Sequence, residues 1–181
     1  MMSKKVLIIS SSLRAGSNSE ILARECERGA LEAGNEVEFI SLKGKSIHFC
    51  IGCLVCQSKK PCVLQDDVAE IMEKVKNAQV VVFATPIYYY EMSGQLKTLL
   101  DRLNPLYPVD YAFHSIYMIA TAAETDPSTF EKAYNGLQGW VDCFEKVKLK
   151  GIVTGGGIGD AKDAANHAIA MKKAYELGLN L

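Results

Sequence analysis

No run of apolar residues in this 181-residue chain approaches the roughly 20 that a membrane-spanning helix requires, so no membrane segment is expected. Nor is there an excess of charge. The 20 lysines and arginines face 21 aspartates and glutamates, the formal net charge is −1, and no basic stripe stands out. Nucleic acid is therefore not expected as a partner, because phosphate-backbone binding draws on clustered positive charge. The opening Met1-Met2-Ser3-Lys4-Lys5 before Val6 to Ile9 looks at first like a secretory leader. Its apolar run is short and serines end it, so a cytoplasmic location is expected. A P-loop lysine motif and a GxGxxG fingerprint are both missing, which removes two familiar phosphate-binding loops. There is no internal repeat or low-complexity tract. His48, His114 and His167 are scattered without an obvious ligand partner and receive no role.

What is present is a regular alternation. Apolar residues make up 49% of the chain, enough for a substantial core, and the length suits one domain over residues 1–181. Five segments read as strands: Val6–Ile9, Glu36–Ile40, Gln79–Ala84, Ser115–Ala120 and Leu149–Thr154. Between them apolar residues recur at helical spacing, as in Leu22, Cys26 and Ala30, or Leu96, Leu99 and Leu103, and a last helix is expected over 162–177. A second such helix opens at Asp126-Pro127 and carries Phe130, Leu137, Trp140, Cys143 and Phe144. Strands alternating with helices specify an α/β sandwich, a parallel sheet covered on both faces. A flavodoxin-like strand order 2-1-3-4-5 is expected, with the ligand crevice between strands 1 and 3.

Two loops follow those two strands. The first runs Ser10-Ser11-Ser12-Leu13-Arg14-Ala15-Gly16-Ser17 into a helix that Asn18 or Ser19 can cap. Hydroxyls, backbone N–H groups and one guanidinium beside a helix N-terminus suit an anion, and a capped, solvated turn is the competing reading. The second runs Thr85-Pro86-Ile87-Tyr88-Tyr89-Tyr90 toward Ser93, which caps the next helix. Three consecutive rings cannot all enter one core. Exposed aromatics beside a phosphate cradle suit a planar cofactor, and the small residues after strand 4, from Thr121 and Ala122 on, would let a flat ring approach. The glycines at 155, 156, 157 and 159 are read as a flexible surface turn.

The remaining feature is a long segment without periodicity, about residues 43–65, that holds Cys50, Cys53, Cys56 and Cys62. Long loops of this kind are usually functional. In a cytoplasmic protein, clustered cysteines point to a metal, a cluster or redox work and not to a disulfide framework. Asp66-Asp67 follows at a helix start and is read as a cap that complements the helix dipole. Cys26 is read as a core thiol.

These residues together resemble the flavodoxin-like NADPH-dependent FMN reductase family, and within it the iron–sulfur flavoproteins. Ser10 to Arg14 with Gly16, Asn18 and Ser19 is similar to the family's GSPR…N[ST] loop, with Ser11 in place of glycine and Leu13 in place of proline. Thr85 to Tyr88, Met92-Ser93-Gly94-Gln95-Leu96-Lys97 and Asp101-Arg102 resemble its second loop and helix. The resemblance implies that Ser10, Ser12, Arg14, Ser17, Asn18 and Ser19 hold the FMN phosphate. It places the ring on Pro86, Ile87, Tyr88 and Tyr89, with Met92, Ser93 and Gly94 in the same loop and Thr121 and Ala122 on the far side. No catalytic side chain is implied, since hydride transfer to the flavin needs none. NAD(P)H is the implied electron donor, and a quinone, an azo or nitro compound or free flavin the acceptor. Cys50-x2-Cys53-x2-Cys56-x5-Cys62 has the compact spacing of the iron–sulfur flavoproteins, which implies a [4Fe–4S] cluster. Free thiols or a labile disulfide, and a zinc ion, stay open as alternatives. Two other functions stay open: an electron carrier between protein partners and a flavin-binding module without turnover. A homodimer or homotetramer is implied, with Tyr88–Tyr90, Leu106-Tyr107-Pro108 and Trp140 as contact candidates.

Overall fold

Alternation of side chains along buried strands sets the architecture. In β1 (Lys5–Ser10), Leu7 and Ile9 point to one face of the sheet and Val6 and Ile8 to the other, and all four are buried. Strand β3 (Val80–Tyr88) repeats the pattern, with Val81 and Phe83 on the first face and Val80, Val82 and Ala84 on the second. Both faces are therefore covered, as a parallel sheet requires. Helices α2 (Val68–Asn77), α3 (Gly94–Arg102) and α4 (Glu131–Val141) cover the first face. Helices α1 (Asn18–Glu32) and α5 (Ala168–Leu179) cover the second. This is a computed structural model, and it describes residues 3–58 and 61–181. Among the described residues no helix is long and apolar enough to cross a membrane.

With β2 (Glu36–Ser41), β4 (Glu91–Met92), β5 (Ser115–Thr121) and β6 (Lys148–Gly155), the sheet runs β2-β1-β3-β5-β6. Every pairing on that path is parallel. This is the expected order with one correction to the strand count. The sixth strand, β4, pairs antiparallel with the end of β3, Ile87 opposite Met92 and Tyr88 opposite Glu91. A two-residue strand after a proline carries no periodicity from which to read it. The reversal of direction between β1→β2 and β1→β3 leaves the crevice at the carboxyl ends of β1 and β3.

Helix ends depart from the sequence reading by short shifts. Ser17, not Asn18 or Ser19, caps α1, with its hydroxyl accepting from Glu20 N. The Asp126-Pro127 segment is a 3-10 turn through Phe130, and α4 closes at Val141, so Cys143 and Phe144 lie beyond it. The last helix begins at Ala168 and is preceded by a 3-10 turn, Asp163–Asn166. There His167 accepts from Ala170 N through Nδ1. Helices α1 and α5 touch backbone to backbone. A Cβ on Gly29 would stand 2.3 Å from the Tyr175 carbonyl, and one on Gly178 2.1 Å from that of Cys26, so only glycine fits either position.

Candidate functional site

The first loop leaves β1 at Ser10, whose hydroxyl is fully buried and has no hydrogen-bond partner. A buried hydroxyl without a partner costs about 1–3 kcal/mol, which an incoming acceptor would recover. Ser12, Ser17, Asn18 and Ser19 are also buried, and the Ser17 and Ser19 hydroxyls lie 3.1 Å apart. The first amides of α1 have no acceptor within the helix. Arg14 extends over the loop and donates Nη1 to Gly159 O at 2.8 Å. Its other N–H groups remain available for an anion. Asn18 is engaged differently. Its amide donates to Ile158 O and Asp160 O and accepts from Ala164 N, which makes it the tie between this loop and the chain after β6.

That tie corrects the reading of the glycine run as a flexible surface turn. Gly157 N donates to Glu124 O and Ile158 N to Ala122 O, and Ile158 is buried. A Cβ on Gly156 would meet the Glu124 carbonyl at 2.8 Å. Lys162 N donates to Gly16 O, and the stem of Lys162 lies across Gly16. The segment after β6 is a packed support beneath the serine loop, and periodicity has nothing to say about such tertiary contacts.

The second loop is fastened to the first through Ser11. Its N–H and hydroxyl both donate to Ala84 O, at 2.9 and 3.0 Å, and its oxygen lies 2.9 Å from that of Ser93. Ser93 in turn caps α3 at Leu96 N and donates its own N–H to Thr85 Oγ1 at 2.9 Å. Ser11, a departure from the family's glycine, thus joins the two loops, a role that sequence assigns to neither it nor Thr85. Beyond this joint the chain turns at Tyr89 and Tyr90, with φ of 52° and 67°. These are the two positive-φ positions of a tight hairpin, where asparagine and glycine are usual. Tyr88, Tyr89 and Tyr90 are exposed, Tyr89 at 98%, while Pro86 and Ile87 are half-buried and Met92 is buried. Gly94 is exposed at the start of α3, and Thr121 and Ala122 are buried at the end of β5. Of the residues expected at a flavin, those from Ser10 to Ser19 follow β1, those from Pro86 to Gly94 follow the core of β3, and Thr121 and Ala122 end β5, while Asn18 is taken up by the 158–164 segment.

The cysteine segment lies against α3. Cys50, Cys53, Cys56 and Cys62 share one hollow of about 370 Å³ with Asp101 and Asn104. Residues 59 and 60, between Cys56 and Cys62, lie outside the described residues. Cys50 and Cys53 are exposed and Cys56 and Cys62 half-buried, and the coil between them uses positive φ at Gly52 (66°) and at Leu54 (57°), the latter a strained position for a branched side chain. None of the cysteines is in a disulfide. Among the described residues no three cysteine, histidine or carboxylate side chains stand at the spacing of a single ion. Thiols are ligands that both zinc and iron–sulfur clusters take.

Asp66 anchors this segment, which corrects its reading as a helix cap alone. Its side chain is fully buried and grips Arg102, also buried, through two N–H groups, Nη1 to Oδ2 and Nη2 to Oδ1 at 3.0 Å. Asp66 also accepts from His48 N and Val68 N, and Arg102 Nη1 donates to His48 O. Burial pushes the Asp66 carboxyl up, but Arg102, His48 and Val68 together hold it well below the usual carboxylate range. Asp67 turns to Ser46 N at 2.6 Å. Burial pushes the Cys26 thiol up to about 12, with Glu27 adding to the shift, which keeps it an inert core group. A larger hollow, about 710 Å³, lies beside Arg24 and Arg28. Those guanidiniums are already held by Glu27 and Glu25 and stacked on Phe39 and Tyr175.

A doubly covered parallel sheet in the order β2-β1-β3-β5-β6, with a serine-rich loop and an aromatic loop at its switch point, defines a flavodoxin-like protein. Residues 4–127 match the family of NADPH-dependent FMN reductases, and the chain belongs to that family. It is 43% identical over 102 residues to an iron–sulfur flavoprotein of Methanocaldococcus jannaschii, a match covering 56% of this chain and 53% of that one. To an iron–sulfur flavoprotein of Archaeoglobus fulgidus it is 35% identical over 105 residues, 56% of this chain and 46% of the other. The chain thus matches about half the length of these curated relatives. Among solved structures, an NAD(P)H:quinone oxidoreductase from Methanothermobacter marburgensis superposes with a TM-score of 0.75 at 20% identity, over 99% of this chain and 96% of that one. At that identity the likeness concerns the fold.

Proposed function

We propose that this protein is an FMN-dependent oxidoreductase that takes electrons from NAD(P)H and passes them to a small acceptor such as a quinone, an azo or nitro compound or free flavin. The observation that carries the reading is the joint of Ser11, Ser93 and Thr85, which fixes a serine-lined anion loop and an exposed aromatic loop side by side at the crevice. Ser10, Ser12, Ser17, Ser19 and Arg14 would hold the phosphate. Pro86, Ile87, Tyr88 and Tyr89 would carry one side of the ring, with Thr121 and Ala122 behind it. When bound, FMN supplies hydride acceptance at N5 and electron release in pairs or singly. The chain's task is to orient the ring and keep one face open.

The four cysteines support a second component. They would hold a [4Fe–4S] cluster, and the two archaeal relatives are named as iron–sulfur flavoproteins. With it, service to protein redox partners becomes the competing function. Anaerobic mixing of FMN-loaded protein with NADPH or NADH separates the two. The proposal expects bleaching of the flavin band by one of these, then reoxidation by a quinone or azo dye. A flavin that stays oxidised with both, yet is reduced by ferredoxin, would establish the carrier, and reduction by none of them would leave a binding module.

A further inference from the structure

Helix α3 starts at the flavin loop and ends at the cysteine hollow, and two side chains at its far end reach toward the sulfurs. Asn104, just past the helix, donates Nδ2 to the Cys56 sulfur at 3.1 Å. That is its one side-chain hydrogen bond among the described residues, and no backbone cap or turn uses the amide. Arg102 closes the last turn with a buried guanidinium, of which Nη1 and Nη2 serve Asp66, His48 O and Leu64 O. Its Nε–H is buried and has no partner among the described residues. Burial opposes the Arg102 charge, and Asp66 favours it, with a smaller contribution from Cys62. Burial of this arginine with a single carboxylate already leaves the pair neutral. Its orphaned N–H therefore has a use only if another acceptor arrives.

We propose that Asn104 and Arg102 are positioning residues that set the reduction potential of the group bound by Cys50, Cys53, Cys56 and Cys62. This rests on the reading of those cysteines as ligands of a [4Fe–4S] cluster. Hydrogen bonds to ligating sulfurs favour the more negative, reduced state and raise the potential. Where a cluster is bound, the Asn104 N–H and the Arg102 guanidinium would offset the charge that one-electron reduction adds, with no proton taken up. Asp66 and His48 aim that guanidinium and do not touch the sulfurs in the described contacts.

The test is an anaerobic dithionite titration of the full chain, loaded with FMN and reconstituted with iron and sulfide, as wild type, Asn104→Leu, Asn104→His and Arg102→Lys. Iron and sulfide content is measured on each sample. The leucine variant keeps its iron, and its ratio of reduced to oxidised cluster at a fixed potential falls roughly threefold to tenfold, equivalent to about 30–60 mV for one electron. The histidine variant, which retains an N–H donor, recovers at least half of the shift, and the flavin midpoint is unchanged in both. Arg102→Lys, which keeps the charge and loses the fork, shifts in the same direction as Asn104→Leu. An iron-replete Asn104→Leu protein with the wild-type midpoint overturns the proposal while leaving the cluster in place. Loss of iron from that variant with FMN retained shows a purely structural role and overturns it too. A wild-type chain that binds no iron or sulfide removes the cluster, and the proposal with it.

Discussion

Asp66 shows how much one buried carboxylate can organise. It ties the cysteine segment, the start of α2 and the end of α3 through Arg102, His48 and Val68. Because folding lowers its proton affinity, its contribution is complete above the ordinary carboxylate value of about 3.9 and fades as pH falls toward the depressed folded value. Asp66→Asn removes one partner of a buried pair, which typically costs about 3–5 kcal/mol. Urea melts at pH 7 should show that loss, and the gap between variant and parent should narrow below about pH 4. A gap that is equal at both pH values would refute the linkage. From sequence, an aspartate pair before a helix looks like a cap, and nothing local distinguishes it from one. Its partner is 36 residues away, and Arg102 is the signal: a cation in a helix turn otherwise buried beside Leu99, Leu100 and Leu103.

At the scale of elements, strand β3 and its hairpin carry the most information and the most strain. Tyr89 and Tyr90 hold positive φ where Asn-Gly would relax the turn, at about 1 kcal/mol or more for each residue. Replacing both by Asn-Gly should raise the melting temperature by about 2–4 °C per kcal/mol recovered. The same change should weaken FMN retention on desalting, because a ring face is lost. A variant that melts lower, or one that retains FMN unchanged, would count against the account. The five long strands and their order were legible because buried parallel strands are apolar throughout and their separators are amphipathic. The hairpin return was not, since β4 is two residues long. The serine loop was legible from residue type as a turn into a capped helix, which Ser17 caps. The supports behind it were not: Asn18 to the 158–164 segment, Ser11 to Ser93 and Lys162 to Gly16 join positions 80 or more residues apart. The glycine run was misread for the same reason. Glycine is read as freedom when isolated and as close approach only when its neighbour is known.

Across the whole molecule, α3 links the loop after β3 at its N-terminus to the cysteine hollow at its C-terminus. Nine helical residues span about 14 Å, and Ser93 and Arg102 are rigidly fastened at either end. Exposed apolar side chains border the two sites, among them Phe49, Ile51, Leu54 and Tyr89. Such a rim is expected to be covered by a second copy, and light scattering should give a mass of two or four chains. A mass of one chain would leave the rim for another partner.

The central claim is that one chain carries both a flavin and a cysteine-bound cluster. An anaerobic absorption spectrum after reconstitution and desalting, with iron and sulfide assays, tests it most directly. The account predicts flavin bands above a broad shoulder and about four irons and four sulfides per chain. Protein that leaves the column without flavin would contradict the reading of Ser10 to Ser19, and flavin without iron would contradict that of Cys50 to Cys62.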